Sequence, residues 1–311
     1  NNCYSNGSWS YEFDSDGEKK LAFKVVDSKG TTFISADNSG LTVPKIVDST
    51  ASNQAASKFT IKVDTEYPSM TDVYFNAEPS VNQPSVPSDK NDIDSSVWSN
   101  NFSGKTFGGT EKIMWFLIGG EDANGIADGN LTCTSANTTV TKGTSRVDEN
   151  NGTAFYSYKI DISHETQTLL TFKVEVEDKS GLISQKSFTV NVDNTAPTVN
   201  INSHSDGSNV YGTDANTIRG TSADSNNVEK IEYALTKDNN APTSGYSTLE
   251  NPLNWEISFE GTNILNEKIR SIYGITGSSF EDLYDLYFWI KATDKYGNIS
   301  EPKSLKLVVL P

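Results

Sequence analysis

The sequence is poor in the residues that most often carry catalysis or bind transition metals. Only two histidines, His164 and His204, and two cysteines occur among 311 residues. No His-x-x-x-His or Cys-x-x-Cys spacing is present, so a zinc site is not predicted. No Gly-x-Ser-x-Gly sequence marks a nucleophile either. We therefore predict that both histidines are surface residues and that the chain has no catalytic centre.

Long hydrophobic runs and an excess of positive charge are also missing. No segment approaches the ~18 consecutive apolar residues that a membrane-spanning helix needs. Acidic residues outnumber basic ones by 41 to 25, which gives a net charge of −16. Such a surface repels phosphate backbones, so nucleic-acid binding is not predicted. The acidity either serves solubility or reflects carboxylates that are clustered to hold cations.

The two cysteines, Cys3 and Cys133, fall in different repeats of the pattern described below, so a disulfide between them is not expected. Alternation along the segment Leu131-Thr132-Cys133 places Cys133 and Leu131 on the same inward face of a strand. We predict a buried structural thiol at Cys133.

One pattern occurs three times along the chain. It consists of an alternating strand, an Asp-x-x-Gly turn and a second alternating strand, at residues 21–30 with 58–64, 170–181 with 187–193, and 286–298 with 305–309. The Asp side chain can cap the turn, and the Gly can adopt the positive φ that such a turn needs. Each copy therefore predicts a β-hairpin.

Further strands are predicted around each hairpin. An alternating aromatic strand precedes it at residues 9–13, 155–160 and 255–259. Copies two and three have several earlier strands, which include residues 113–118 and 131–135 in copy two and residues 217–221 and 228–235 in copy three. Copies two and three thus have about seven strands each, as in an immunoglobulin-like sandwich. Copy one supplies only the last three, which predicts that the chain begins inside a domain.

The predicted fold is therefore all-β, with tandem immunoglobulin-like antiparallel β-sandwiches of which the first is partial. The predicted domains are residues 1–64, with the last strands only, residues 65–193, with a polar insertion at 79–109, and residues 194–311. Helical spacing of apolar residues at 263–273 predicts a short helix over one edge of the last sandwich.

Two segments resemble a known group of proteins. The junction VDNTAPTV at residues 192–199 is similar to the linker between consecutive bacterial Ig-like domains in large surface adhesins, and so is the segment KATDKYGNIS at residues 291–300. The junction at residues 63–68 is a degenerate version. The resemblance implies a stalk on the cell surface, with joints that calcium often stiffens. Independently, Pro68 and Pro197 restrict the linkers to short extended connections with little slack.

Aspartates are predicted to converge at both joints. In an Ig-like sandwich, the loops after the second and the sixth strand lie at the end where the chain enters. This places three aspartates at each joint, with Glu66 as a further candidate at the first: Asp64, Asp122 and Asp178 at the first joint, and Asp193, Asp224 and Asp294 at the second. Oxygen ligands on irregular loops suit calcium. The alternative is that each Asp only caps its own turn.

Three functions remain open on the sequence. The first is a non-catalytic spacer in the stalk of an extracellular, adhesin-like protein, whose partners are neighbouring Ig-like domains and a host or matrix glycan or protein. The second is a carbohydrate-binding accessory module of a secreted enzyme, and Trp98 in the insertion is its candidate ligand contact. The third, less favoured, is an enzyme. Repetition of equivalent units favours the spacer.

Overall fold

The computed structural model describes residues 4–5, 8–9, 11–22, 24–26, 28–36, 45–48, 59–76, 82–102, 105–212, 214–249, 251–259, 264–277 and 281–311. The chain is all-β, as predicted, and its sheets form Ig-like sandwiches. We call residues 1–64, 65–193 and 194–311 the first, second and third repeats. A search of the described residues finds no helix with the length and hydropathy to cross a bilayer.

The second repeat is a sandwich of two sheets. Its strands are β8 (Ser69–Met70), β9 (Tyr74–Asn76), β10 (Thr106–Gly108), β11 (Ile113–Glu121), β12 (Ile126–Cys133), β13 (Thr139–Asp148), β14 (Thr153–Asp161), β15 (Gln167–Asp178) and β16 (Ile183–Asp193). One sheet has the order β10-β16-β15-β12 and the other β13-β14-β11-β8, with β9 also paired to β11. Alternate residues of the facing strands, such as Phe116 and Phe172, form one buried core.

The polar insertion covers the outer face of this sandwich. Strand β11 sends Phe116 into the main core, whereas Trp115 and Leu117 point to the opposite face. There they form a second cluster with Phe155 of β14 and with Val86, Trp98 and other apolar residues of the insertion. This explains why β11 reads as a continuous apolar run, since both of its faces are buried.

The third repeat is a second sandwich with its own core. Its elements are β17 (Thr198–Ile201), β18 (Ser208–Tyr211), β19 (Asn216–Ala223), β20 (Val228–Thr236), β21 (Ser247–Leu249), β22 (Asn254–Phe259), α1 (Ile264–Tyr273), β23 (Tyr284–Asp294) and β24 (Lys303–Leu310). The sheets run β17-β19-β22 and β18-β24-β23-β20-β21. Helix α1 is the predicted helix, and its Leu265 and Ile269 are buried in the core beside Trp255.

Two strand pairs depart from the predicted antiparallel pattern. Strand β10 runs parallel to β16, and β18 runs parallel to β24. In the second and third repeats, a short strand thus follows the outer edge of the last strand, in the same direction. The hydrophobic pattern did not predict these strands because an edge strand of three or four residues has too short an alternation.

The first repeat departs most from its prediction. Its described strands are β1 (Tyr4–Ser5), β2 (Ser8–Trp9), β3 (Gly17–Leu21), β4 (Lys24–Val26), β5 (Thr32–Ala36), β6 (Lys45–Asp48) and β7 (Phe59–Val63). The strand predicted at 21–26 is divided between β3, which pairs with β7, and β4, which pairs with β5. Residues 11–14 lie outside any strand, so the strand predicted at 9–13 is wrong. Cys3 lies outside the described residues.

Candidate metal centres at the two joints

The same three positions of the fold supply an aspartate at each joint. The first aspartate of each joint lies at or just after the end of the last strand of the preceding repeat. The second lies just after an early strand of the following repeat. The third is the Asp of the Asp-x-x-Gly turn, at the end of the strand before that turn. At the first joint these are Asp64 after β7, Asp122 after β11 and Asp178 at the end of β15. At the second joint they are Asp193 at the end of β16, Asp224 after β19 and Asp294 at the end of β23.

The structure brings each predicted set of three together. Within each set, carboxylate oxygens of the three residues lie within 4.8 Å of one another. Asp193 and Asp294 have no exposed surface, and Asp178 is 1% exposed. Glu66 does not join the first set: its side chain is exposed, and its backbone N–H donates to Asp64 Oδ1 over 3.2 Å.

One oxygen of each carboxylate caps a turn, as the alternative hypothesis predicts. Asp178 Oδ1 accepts from the backbone N–H of Ser180 over 2.7 Å and of Leu182 over 3.0 Å. Asp294 Oδ1 accepts in the same way from the N–H groups of Tyr296 and Asn298. The turn glycines, Gly181 and Gly297, have φ of +90° and +89°, as predicted.

The other four aspartates follow the same rule. In each, Oδ1 accepts from the backbone N–H two residues further on: Asp64 from Glu66, Asp122 from Asn124, Asp193 from Thr195 and Asp224 from Asn226. Turn capping therefore uses Oδ1 and leaves the second oxygen, Oδ2, for other partners. The capping hypothesis and the cation hypothesis are compatible because they concern different atoms.

Two of the six Oδ2 atoms, those of the linker aspartates Asp64 and Asp193, accept hydrogen bonds from asparagine amides. Asn124 Nδ2 donates to Asp64 Oδ2 over 2.5 Å, and Asn226 Nδ2 donates to Asp193 Oδ2 over the same distance. These two hydrogen bonds are equivalent, since each links the linker aspartate to the loop that follows an early strand. Both asparagines also carry an amide oxygen, so a rotated amide would present an oxygen to a cation.

Asp178 keeps a buried oxygen without a partner. Its Oδ2 makes no hydrogen bond among the described residues, although the side chain is 1% exposed. Burying a carboxylate oxygen without a donor is costly, because the lost hydration is not replaced. The ammonium of the next residue, Lys179, pairs with Glu149 instead.

At the second joint, the electrostatics of Asp224 also favour a bound cation. The pKa of the Asp224 carboxyl is raised, mainly by burial and further by the charges of Asp193 and Asp294, against a lowering hydrogen bond from the Asn226 N–H. A raised pKa means that the folded state holds this proton more tightly than the unfolded chain does. Ionised Asp224 therefore weakens the fold at neutral pH, and a bound cation would offset that repulsion.

The donor set fits calcium better than a transition metal. The two clusters offer carboxylate oxygens, with amide oxygens of the adjacent asparagines, and contain neither histidine nor cysteine. Calcium takes about six to eight oxygen ligands and accepts irregular loops, whereas zinc favours nitrogen and sulfur. The residues that would hold it are the six predicted aspartates.

Trp98 is corrected by the structure. Its side chain is 2% exposed, packs in the cluster with Trp115 and Phe155, and donates from Nε1 to the Ser85 carbonyl over 3.0 Å. A ring buried on both faces cannot present a platform to a sugar, so Trp98 has a packing role. The continuous apolar run in β11 was the sequence signal for a covering segment.

The remaining single residues belong to neither cluster of aspartates. His164 is exposed and His204 half-buried, and each ring Nδ1 lies within hydrogen-bonding distance of the preceding serine. Cys133 is a free thiol that packs, partly buried, against the core beside buried Leu131.

Solved structures resemble this chain in fold. The tetra-tandem repeat in the extending region of a large adhesion protein is 13% identical, with 94% of this chain and 57% of that chain covered and a TM-score of 0.29. Protocadherin gammaB7 EC3-6 is 11% identical, with 98% and 66% covered and a TM-score of 0.29. The fibronectin(III)-like modules of CbhA from Clostridium thermocellum are 16% identical, with 67% and 90% covered and a TM-score of 0.28.

These similarities concern only the fold, which is built from sandwich repeats, and they say nothing about the function of this chain. The sequence matches no protein family and no curated protein.

Proposed function

We propose that this chain is a non-catalytic spacer in the stalk of an extracellular, adhesin-like protein of the bacterial cell surface, and that calcium binds at both joints. The observation that supports the proposal most strongly is the repeated convergence of three equivalent aspartates at two successive joints. A single cluster could arise from turn capping alone. Two equivalent clusters, each joining a linker to the next sandwich, are what a repeated mechanical unit needs.

A cation at these positions would restrict bending. At the first joint, Asp64 follows the last strand of the first repeat, whereas Asp122 and Asp178 belong to the second. An ion held by all three would fix the linker to the following sandwich. Without the ion, the carboxylates repel one another and favour a joint that opens.

The proposed location and the proposed ion are consistent with each other. Calcium sites of extracellular modules bind in the range of ~0.1–1 mM, which matches calcium concentrations outside cells. Such sites would be filled outside a cell and largely empty in the cytosol. The partners proposed for this segment are the neighbouring Ig-like domains of the same longer chain, with a glycan or protein bound elsewhere on it.

The carbohydrate-binding alternative has lost the feature that favoured it. Trp98 is buried under the insertion, and Trp115 and Trp255 are buried as well. No observation on the described residues favours glycan binding over the spacer.

Small-angle X-ray scattering tests the proposal. We expect millimolar calcium to increase the maximum dimension of the chain relative to a chelator, because stiff joints hold the repeats end to end. Asp64→Asn, which removes one charge at the first joint and keeps the size of the side chain, should reduce the response. Asp214→Asn removes one charge at an exposed position and should leave the response unchanged. Identical scattering with calcium and with chelator would refute calcium stiffening.

A further inference from the structure

The two joints differ at one position of otherwise equivalent turns. The turn at the first joint reads Asp-Lys-Ser-Gly-Leu from Asp178 to Leu182, and the turn at the second reads Asp-Lys-Tyr-Gly-Asn from Asp294 to Asn298. In both turns the residue at the fifth position donates its backbone N–H to the Asp Oδ1. The side chains differ, since leucine offers no polar atom and asparagine offers an amide.

At the second joint, the side-chain amide of Asn298 provides hydrogen bonds where a cation would otherwise be needed. Asn298 Nδ2 donates to Asp294 Oδ2 over 2.8 Å and to the backbone carbonyl of Asp193 over 3.0 Å. The side chain is 7% exposed. One buried amide group therefore satisfies the inner oxygen of Asp294 and also ties the linker to the third repeat.

The end of the insertion adds contacts across the same joint. Strand β10 pairs with β16 up to Gly108, opposite Asp193. The next residue, Gly109, donates its N–H to Asn194 Oδ1 over 3.0 Å, and Thr110 donates its N–H to the Tyr296 carbonyl over 3.3 Å. Gly109 has φ +58°, and a Cβ there would lie 1.9 Å from the Tyr296 carbonyl oxygen. Only glycine allows this close approach of the two repeats.

The first joint has weaker direct links between its described residues. Asn124 bonds to Asp64 Oδ2 as its counterpart Asn226 does at the second joint. Leu182, however, gives Asp178 no amide, and Asp178 Oδ2 stays buried without a partner among the described residues. This buried oxygen lacks a hydrogen-bond donor or a cation, and calcium would supply the cation.

We infer that the first joint is a calcium-controlled hinge, whereas the second joint stays straight with or without calcium. This inference rests on the proposed function, because it assumes that calcium binds at the joints. It adds that the Leu182/Asn298 difference decides which joint responds. The chain would then bend in low calcium at one defined place, with the second and third repeats moving as one body.

Distances between spin labels across each joint test the inference in the 311-residue chain with Cys3 and Cys133 replaced by serine. Labels at Lys20→Cys and Thr141→Cys span the first joint, and labels at Thr141→Cys and Glu229→Cys span the second; all three positions are exposed. In chelator, we expect the distance distribution across the first joint to broaden and that across the second to remain narrow. In millimolar calcium, both should be narrow.

The outcomes separate the two claims. Equal broadening across both joints in chelator would overturn the hinge inference and leave calcium stiffening intact. No effect of calcium at either joint would overturn stiffening itself, and the inference with it.

Exchanging the residue types at positions 182 and 298 tests whether they determine which joint responds to calcium. Asn298→Leu should make the second joint respond to calcium, and Leu182→Asn should narrow the distribution across the first joint in chelator. Leu182 is only half-buried, so this second variant keeps the test decisive if Asn298→Leu fails to fold. An unchanged calcium response at the first joint in a folded Leu182→Asn variant would contradict the role of this position.

Discussion

Calcium is expected to raise the midpoint of thermal unfolding of the second and third repeats by roughly 10 °C when it is present at about 100 times its dissociation constant. A ligand that binds only the folded state stabilises it by about 2.7 kcal/mol at that concentration. The physical source here is the neutralisation of three carboxylates whose oxygens lie within 4.8 Å of one another. Scanning calorimetry with calcium and with chelator measures the shift.

Single substitutions locate the effect. Asp193→Ala should remove the calcium-dependent part of the stability of the third repeat and leave that of the second. Asp178→Ala should do the reverse, although it also removes a turn cap worth about 1 kcal/mol. A transition that shifts equally with magnesium would argue for a general charge effect, because magnesium demands stricter octahedral geometry than these loops offer.

Trp98→Ala is expected to destabilise the second repeat by about 3–5 kcal/mol, as for other buried aromatic residues. The side chain is 2% exposed, packs with Val86 and Phe155, and makes a hydrogen bond to the Ser85 carbonyl. Its loss leaves a cavity between the insertion and strand β11 and exposes Trp115 and Leu117. Denaturant unfolding, followed by far-ultraviolet circular dichroism, measures the change.

Two control variants are needed to interpret the effect of Trp98→Ala. Trp98→Phe should cost less, since it keeps most of the apolar contact and loses the hydrogen bond. Tyr67→Ala, at a residue that is 65% exposed, should cost little. A Trp98→Ala variant with unchanged stability but reduced binding to a glycan array would contradict the packing role and restore the carbohydrate hypothesis.

The sequence predicted the hairpins and the aspartates because both depend on local chemistry. Alternating apolar residues define β15, β16 and β23, and Asp-x-x-Gly defines the corner between the strands. Because the corners at Asp178 and Asp294 occupy equivalent places in the second and third repeats, the fold brings the aspartates of each joint to one end. This convergence needs the topology but no detail of side-chain packing.

Other features depend on contacts that a single sequence does not show. Strand β13 is mostly polar and exposed, so no hydrophobic alternation marks it. The burial of Trp98 depends on the insertion folding back over β11, which brings together residues far apart in the chain. The hydrogen bonds of Asn124, Asn226 and Asn298 fall in a chain rich in asparagine, where the residue type alone distinguishes nothing.

The first repeat was predicted less well for a physical reason. The interval between its two paired segments, residues 22–58, holds strands β4, β5 and β6, and the repeat pattern contains neither β5 nor β6. The pattern therefore matched residues 21–26 to one strand, whereas the chain changes partners after Leu21. The extra strands β5 and β6 leave the alternation of apolar residues at 21–26 intact and change only the strands with which these residues pair.

A calorimetric titration of the 311-residue chain with calcium tests the central claim most directly. The account predicts two calcium ions per chain, one for each cluster of three aspartates. Asp178→Asn should reduce this to one by weakening the first site, and Asp294→Asn should do so at the second. Asp214→Asn, at an exposed aspartate outside both clusters, should leave two. An absence of binding heat at millimolar calcium, or binding that survives in the Asp178→Asn/Asp294→Asn double variant, would contradict the assignment of the joints as calcium sites.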